Sequence, residues 1–197
     1  MNVIFLDFDG TLSGMHDDEY IDDNGKKVYS DNLEKRIAIL AKVCKKYDCK
    51  IVIEASAKDA IDEETLEIDD KALFVKYVFS LFAKYGIECI GRTPNVRIYK
   101  NSNTYIDMWK ELEIRKWLFN HPEVEHYCIL DDNDTENLLH WRRSDLEKVK
   151  SHLVETCYYN KEHPELEGLL PHHEEEIGRV LKLDNEVRKL ALKRKNR

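Results

Sequence analysis

The sequence predicts an α/β fold: a doubly wound, three-layer, Rossmann-like parallel sheet with helices on both faces. Three observations predict it. Val3 to Leu6, Cys49 to Ile53 and Tyr127 to Leu130 are short, almost unbroken apolar runs, which suits strands buried on both faces. Between them lie longer stretches whose apolar residues recur at steps of three and four, the period of a helix with one buried side. Two of the strand runs also end in aspartates, Asp7 and Asp9 in one case, Asp131 and Asp132 in the other. In open α/β sheets ligands bind at the carboxyl ends of the strands.

The first strand, Val3 to Leu6, opens into Asp7-Phe8-Asp9-Gly10-Thr11-Leu12. Residues 13 to 30 show no sustained periodicity, and with Asp23-Asn24-Gly25 as a turn signal they read as a loop or short hairpin placed to act as a small flap over the mouth of the sheet. Asp31 is expected to cap a helix with Leu33, Ile37, Leu40, Ala41 and Cys44 on its inner face. The strand Cys49 to Ile53 should lie parallel and next to the first by a right-handed crossover, and its end reads Glu54-Ala55-Ser56-Ala57-Lys58. An acidic stretch from Asp59 to Asp70 leads to a second helix, Leu73 to Lys84, which Gly86 ends. A short strand is expected over Ile87 to Ile90 and irregular chain as far as Thr104. A third helix is expected over Tyr105 to Asn120, with Ile106, Trp109, Ile114, Trp117 and Leu118 inside. His121-Pro122 stops that helix before the strand Tyr127 to Leu130. Ser144 to His152 reads as helical and Leu153-Val154 as a short apolar segment. Residues 172 to 197 form an amphipathic helix (Ile177, Val180, Leu183, Val187, Leu190) with a basic tail. Nothing resembling a repeat or a linker divides the sequence, so one domain over residues 1–197 is expected.

Composition narrows the function classes. With 42% hydrophobic and 36% charged residues, the chain reads as globular with a charged surface. No apolar run approaches the length of a membrane span, and Asp7 and Asp9 interrupt the only candidate signal segment, so a cytoplasmic protein without a membrane partner is expected. Five cysteines, an odd number without a CxxC pair, argue against a disulfide framework and against a thiolate zinc site. His163, His172 and His173 lack any metal-ligand spacing. The formal net charge of -8 argues against general attraction of the whole surface to nucleic acid.

The chemistry concentrates at the first strand. On an extended segment Asp7 and Asp9 share one side, with Phe8 turned away. Carboxylates brought together repel, and an all-oxygen ligand set suits magnesium, so a Mg2+ site is expected here.

The hexapeptide Asp7-Phe8-Asp9-Gly10-Thr11-Leu12 resembles the first motif of the haloacid dehalogenase-like (HAD) superfamily, and Asp131-Asp132 its fourth. More narrowly, FLDFDGTL, KIVIEASAK, GIECIGRTP, EIRKWLFNHPEVEHYCILDDND and GLLPHHEEEI are similar to the small HAD domains of Swiss-army-knife RNA repair proteins. The resemblance implies a sheet with little or no cap domain and a phosphatase working through a phosphoaspartate. Asp7 would be the nucleophile and Asp9 the general acid and base. Asp7, Asp9 through its carbonyl, and Asp131 or Asp132 would hold magnesium. Lys110 would fill the place of the basic third motif, with Arg115 and Lys116 as competitors. Thr11, Ser56 and Lys58 would meet the phosphoryl group. The second motif departs from the pattern, because Glu54 stands at the strand end where the family has serine or threonine, and Ala57-Lys58 replaces Trp-Arg. A carboxylate facing a phosphate would oppose binding, so either Glu54 points away or the site does not turn over phosphate. The substrate this implies is a phosphorylated small molecule, a nucleotide or a nucleic-acid end. The rivals are a binding or regulatory protein on a degenerate scaffold, and a phosphotransferase.

Overall fold

The computed structural model describes residues 1–17, 20–21, 27–96, 98–101, 104–106, 110–132 and 150–182. In chain order the strands are β1 (Asn2–Leu6), β2 (Tyr20–Ile21), β3 (Lys27–Val28), β4 (Cys49–Ile53), β5 (Cys89–Arg92), β6 (Ile98–Asn101), β7 (Thr104–Ile106), β8 (His126–Asp131) and β9 (Leu153–Glu155). The helices are α1 (Asp31–Tyr47), α2 (Leu73–Tyr85), α3 (Lys110–Asn120) and α4, described over residues 173–182.

The apolar runs do become the centre of one sheet. Its order is β5-β4-β1-β8-β9 and each pairing is parallel. From β1 the chain winds outward on one side through β4 and β5, then returns to the other side for β8 and β9. This reversal at β1 is the kind of switch point where a crevice opens at the strand ends. Alternation sorts the side chains into two layers. Ile4, Leu6, Ile51, Ile53, Cys128 and Leu130 pack toward α1, α2 and α4, whereas Val3, Phe5, Val52 and Ile129 pack toward Ile114 and Trp117 of α3. The strands are thus covered on both faces, which is why their sequences read as continuous apolar runs.

Local chemistry explains where the observed elements depart from expectation. Ser30, not Asp31, caps α1, its hydroxyl accepting from the Asn32 amide at 3.1 Å. β5 begins two residues later than expected, at Cys89. Tyr105 and Ile106 do not begin α3 but belong with Thr104 to β7, antiparallel to β6, and α3 starts at Lys110. A β-branched, aromatic, β-branched triplet favours an extended backbone over a helical one. Of the expected flap, the described residues show only the two-stranded β2–β3 hairpin. Ser144 to Val149, Leu183, Val187, Leu190 and the basic tail lie outside the described residues. No described helix is long and apolar enough to cross a membrane.

One buried ion fixes the approach to the mouth. The Arg36 guanidinium of α1 donates to the Leu12 carbonyl at 3.0 Å and to the Glu167 carbonyl at 3.1 Å, and pairs with Asp17. Gly168, at φ +75°, lies against it; a Cβ there would come within 2.2 Å of Arg36 Nε.

Candidate active site

The parallel ladder continues one residue past the strand ends. The Asp7 amide donates to the Leu130 carbonyl at 3.0 Å, that of Glu54 to Leu6 at 2.8 Å, and that of Thr93 to Ile53 at 3.0 Å. Thr93, Glu54, Asp7 and Asp131 therefore stand side by side along the carboxyl edge of the sheet. A fourth amide, from Thr156, donates to the Asp131 carbonyl at 3.0 Å and carries the row toward β9.

Lys110 enters this row from the first turn of α3. Its ammonium donates to Asp7 Oδ2 at 2.9 Å and to Asp131 Oδ2 at 2.5 Å. Arg115 and Lys116 point outward, and Arg115 pairs instead with Glu111. All three members of the cluster are buried. Burial pushes the Asp7 carboxyl up to about 7; Lys110 opposes this and the Asp131 carboxylate adds to it. For Lys110, burial alone would favour the neutral amine, but the Asp131 and Asp7 carboxylates outweigh it and hold the group above the ordinary lysine range. Asp132, half-buried, is pushed up to about 6 by burial and by Asp131.

Asp7, Asp131 and Asp132 offer carboxylate oxygens that lie within 4.8 Å of one another. Three carboxylates facing one ammonium leave excess negative charge, and the donors are all hard oxygens, so these residues fit a magnesium ion. Gly10 shapes the same point. Its φ is +71°, and a Cβ on it would come within 2.2 Å of Asp132 Cβ, so only glycine lets the two loops meet.

The other expected residues fall in different places. The Asp9 carboxylate stands outside the three-carboxylate cluster; it is exposed and accepts from Ser13 Oγ at 3.4 Å. Thr11 is fully buried with its hydroxyl 3.0 Å from that of Thr156. Ser56 is exposed at the start of a 3-10 turn, Ser56–Ala60. Lys58, expected to meet the phosphoryl group, lies instead in the interior, 2% exposed, where its ammonium contacts Glu113 and donates to Thr93 Oγ1 at 3.0 Å and Glu54 Oε1 at 3.4 Å. Thr93 donates to the other oxygen of Glu54. The Glu54 carboxyl is therefore turned into this network, 1% exposed, and burial pushes it up to about 8 against the pull of Lys58.

Glu113, Thr93 and Thr156 were not among the expected site residues. Glu113 had a signal: it lies one turn after Lys110, beside Ile114 and Trp117, so a charge occupies the buried face of α3. His173 is buried and accepts from the Leu170 amide at 2.9 Å, a structural role at the start of α4. A cavity of about 590 Å³ lies apart from the aspartates, between α1 and residues 164–171, lined by Lys35, Lys42, Pro164 and Leu170.

Searches of curated proteins and of solved structures return no match. The sequence profile described as "HAD domain in Swiss Army Knife RNA repair proteins" matches residues 3–160, a span that contains all of β1 but its first residue, β2 through β9, and each carboxylate of the row. With so much of its length matched, the chain belongs to this family of HAD domains, whose chemistry is of the hydrolase, phosphatase type.

Proposed function

We propose that the chain is a magnesium-dependent phosphatase that works as one domain through an aspartyl phosphate on Asp7, with a nucleotide or a phosphorylated nucleic-acid end as substrate. The observation that carries this reading is the Lys110 ammonium, set between Asp7 and Asp131 at the ends of adjacent strands. It holds the nucleophile and offsets charge where a phosphoryl group would add more.

In the first step an oxygen of Asp7 attacks phosphorus as the ester P–O bond breaks, and Asp9 gives its proton to the departing oxygen. In the second, Asp9 takes a proton from water, the water oxygen attacks phosphorus, and the bond to Asp7 breaks to release inorganic phosphate. An exposed carboxylate two residues beyond the nucleophile suits a group that must reach both leaving oxygen and water. Asp7, Asp131, Asp132 and the Asp9 carbonyl would hold magnesium, which when bound neutralises these carboxylates and draws charge from the phosphoryl oxygens. Glu54 does not face the phosphoryl group, since its oxygens are taken by Lys58 and Thr93. This supports turnover over binding alone.

Exposed rings just beyond the end of β9 support a base-bearing substrate. Met15, Tyr158 and Tyr159 are exposed, and Met15 and Tyr158 are tied by a 2.9 Å backbone hydrogen bond. They follow within a few residues of Thr11 and Thr156, next to Asp131. Aromatic rings in such a place stack on nucleobases, by about 1–3 kcal/mol per base.

The test is phosphate release from nucleotides, terminally phosphorylated oligonucleotides and an aryl phosphate, with and without magnesium, for the wild type and Asp7→Asn. Magnesium-dependent release absent from the variant is the expected result. Equal release by the two proteins on every compound would end the phosphatase reading.

A further inference from the structure

The cluster around Lys58 lies one strand away from the reacting group and does no chemistry itself. We propose that Glu113, Lys58 and Glu54 are positioning residues that lock the first turn of α3, so that Lys110 stands between Asp7 and Asp131. The proposal rests on the reading of Asp7 as the reacting group.

Lys110 and Glu113 are three residues apart, on one face of α3, and both are buried. Glu113 is held from two sides. Oε1 accepts from the Val96 amide at 2.9 Å, beyond the end of β5, and Oε2 pairs with Lys58, beyond the end of β4. Lys58 is held in turn by Thr93 and by Glu54, the immediate neighbour of Asp7 across the β1–β4 ladder. The ends of β4 and β5 and the start of α3 are thus pinned at one point, one helical turn from Lys110.

Attachment of α3 does not need these charges. Ile114 and Trp117 already pack on Val3, Phe5, Val52 and Ile129. Apolar contacts of that kind are non-directional and leave small shifts and rotations of a helix inexpensive. A hydrogen-bonded ion cluster fixes both. Burying ionisable groups is costly, and well-packed apolar side chains are commonly as stable or more so, which makes net stability a poor explanation for the cluster. A Lys110 ammonium 2.5 Å from one carboxylate and 2.9 Å from another does need a fixed helix start. Displacements of about 1 Å in a catalytic constellation lower rates by up to about a hundredfold.

Two variants test this. Glu113→Gln keeps the size of the side chain but offers one acceptor oxygen where two donors converge. The triple variant Glu54→Met, Lys58→Met, Glu113→Met replaces the whole cluster with apolar side chains. Each is measured for thermal midpoint, for kcat and KM on an aryl phosphate with magnesium, and for the Lys110 ammonium resonance by 15N–1H NMR, assigned with Lys110→Met. Expected are a triple variant with a midpoint at or above that of the wild type, and in both variants a kcat lower by about ten- to a hundredfold with KM little changed. The Lys110 resonance should shift and exchange faster with water, although its hydrogen bonds run to Asp7 and Asp131 and to none of the mutated side chains. A wild-type kcat together with an unchanged Lys110 resonance in either folded variant would overturn the proposal. A wild type that releases no phosphate refutes the function above instead, and the Lys110 resonance still decides this one; if the triple variant does not fold, Glu113→Gln carries the same readouts.

Discussion

The carboxyl edge of the sheet carries two lysine-centred clusters built from the same parts. In one, Lys110 stands between Asp7 and Asp131; in the other, Lys58 stands between Glu54 and Glu113. Both are buried. They differ in what surrounds them. The carboxylate oxygens of Glu54 and Glu113 all have donors, two from Lys58 and one each from Thr93 and the Val96 amide. Around Lys110 a third carboxylate, Asp132, crowds in, and exposed Asp9 follows two residues after Asp7. The closed cluster is saturated and holds geometry. The open one keeps unbalanced negative charge, and under the proposed function that imbalance would draw in the cation that a phosphoryl group then needs.

The largest effect should come from the open cluster. Asp7→Asn removes the proposed nucleophile while keeping its shape, and turnover should fall on the order of a thousandfold or more, measured as magnesium-dependent phosphate release. The thermal midpoint should not fall, because the variant also removes a buried carboxylate that burial disfavours.

Exchanging the two lysines for methionine separates the clusters by stability. Lys58→Met leaves Glu54 and Glu113 without a cation in the interior and should cost about 3–5 kcal/mol in urea unfolding. Lys110→Met also strands two carboxylates, but magnesium can take over part of the lost compensation there. Adding magnesium should therefore recover stability in Lys110→Met and not in Lys58→Met. Equal recovery in both, or in neither, would erase the distinction drawn between them.

These two residues also show how much the sequence revealed. Strands β1, β4 and β8 were legible because burial on both faces forces continuous apolar runs, and Asp7, Asp131 and Asp132 because those runs end in carboxylates. Lys110 followed only from the family resemblance, since nothing in its own neighbourhood separates it from Arg115 or Lys116. Lys58 was expected at the phosphoryl group; its true partner Glu113 is 55 positions away, a pairing set by tertiary packing that no local pattern encodes. The start of α3 was missed because the strand-forming triplet at 104–106 fits a helical period as well.

A smaller effect is the pH dependence. Asp7, Asp132 and Glu54 are raised to about 7, 6 and 8, chiefly by burial. Each folded-state value lies above its ordinary one, so the folded chain binds these protons more tightly than the unfolded chain does. The stability this contributes is complete below the ordinary values and is lost as pH rises through the folded ones. Without metal, the urea midpoint should fall between about pH 5 and 8. Glu54→Gln should flatten the upper part of that fall, and magnesium the part that belongs to Asp7 and Asp132.

The smallest effect tests the join between β1 and β9. The buried hydroxyls of Thr11 and Thr156 are 3.0 Å apart, and Thr156→Val should cost about 1 kcal/mol in unfolding without abolishing turnover. A loss of turnover larger than the loss of stability would move Thr11 into the reacting centre.

The place of β1 in the sheet also sets when the carboxylate cluster can form. The strand that leads into Asp7 pairs on its two sides with strands that begin only at Cys49 and His126. Parallel pairing over such separations is slow, because the chain must close long loops before any contact rewards it. Asp7 and Asp131 therefore meet late in folding, when β8 docks beside β1, and the carboxylate cluster forms only as the sheet closes.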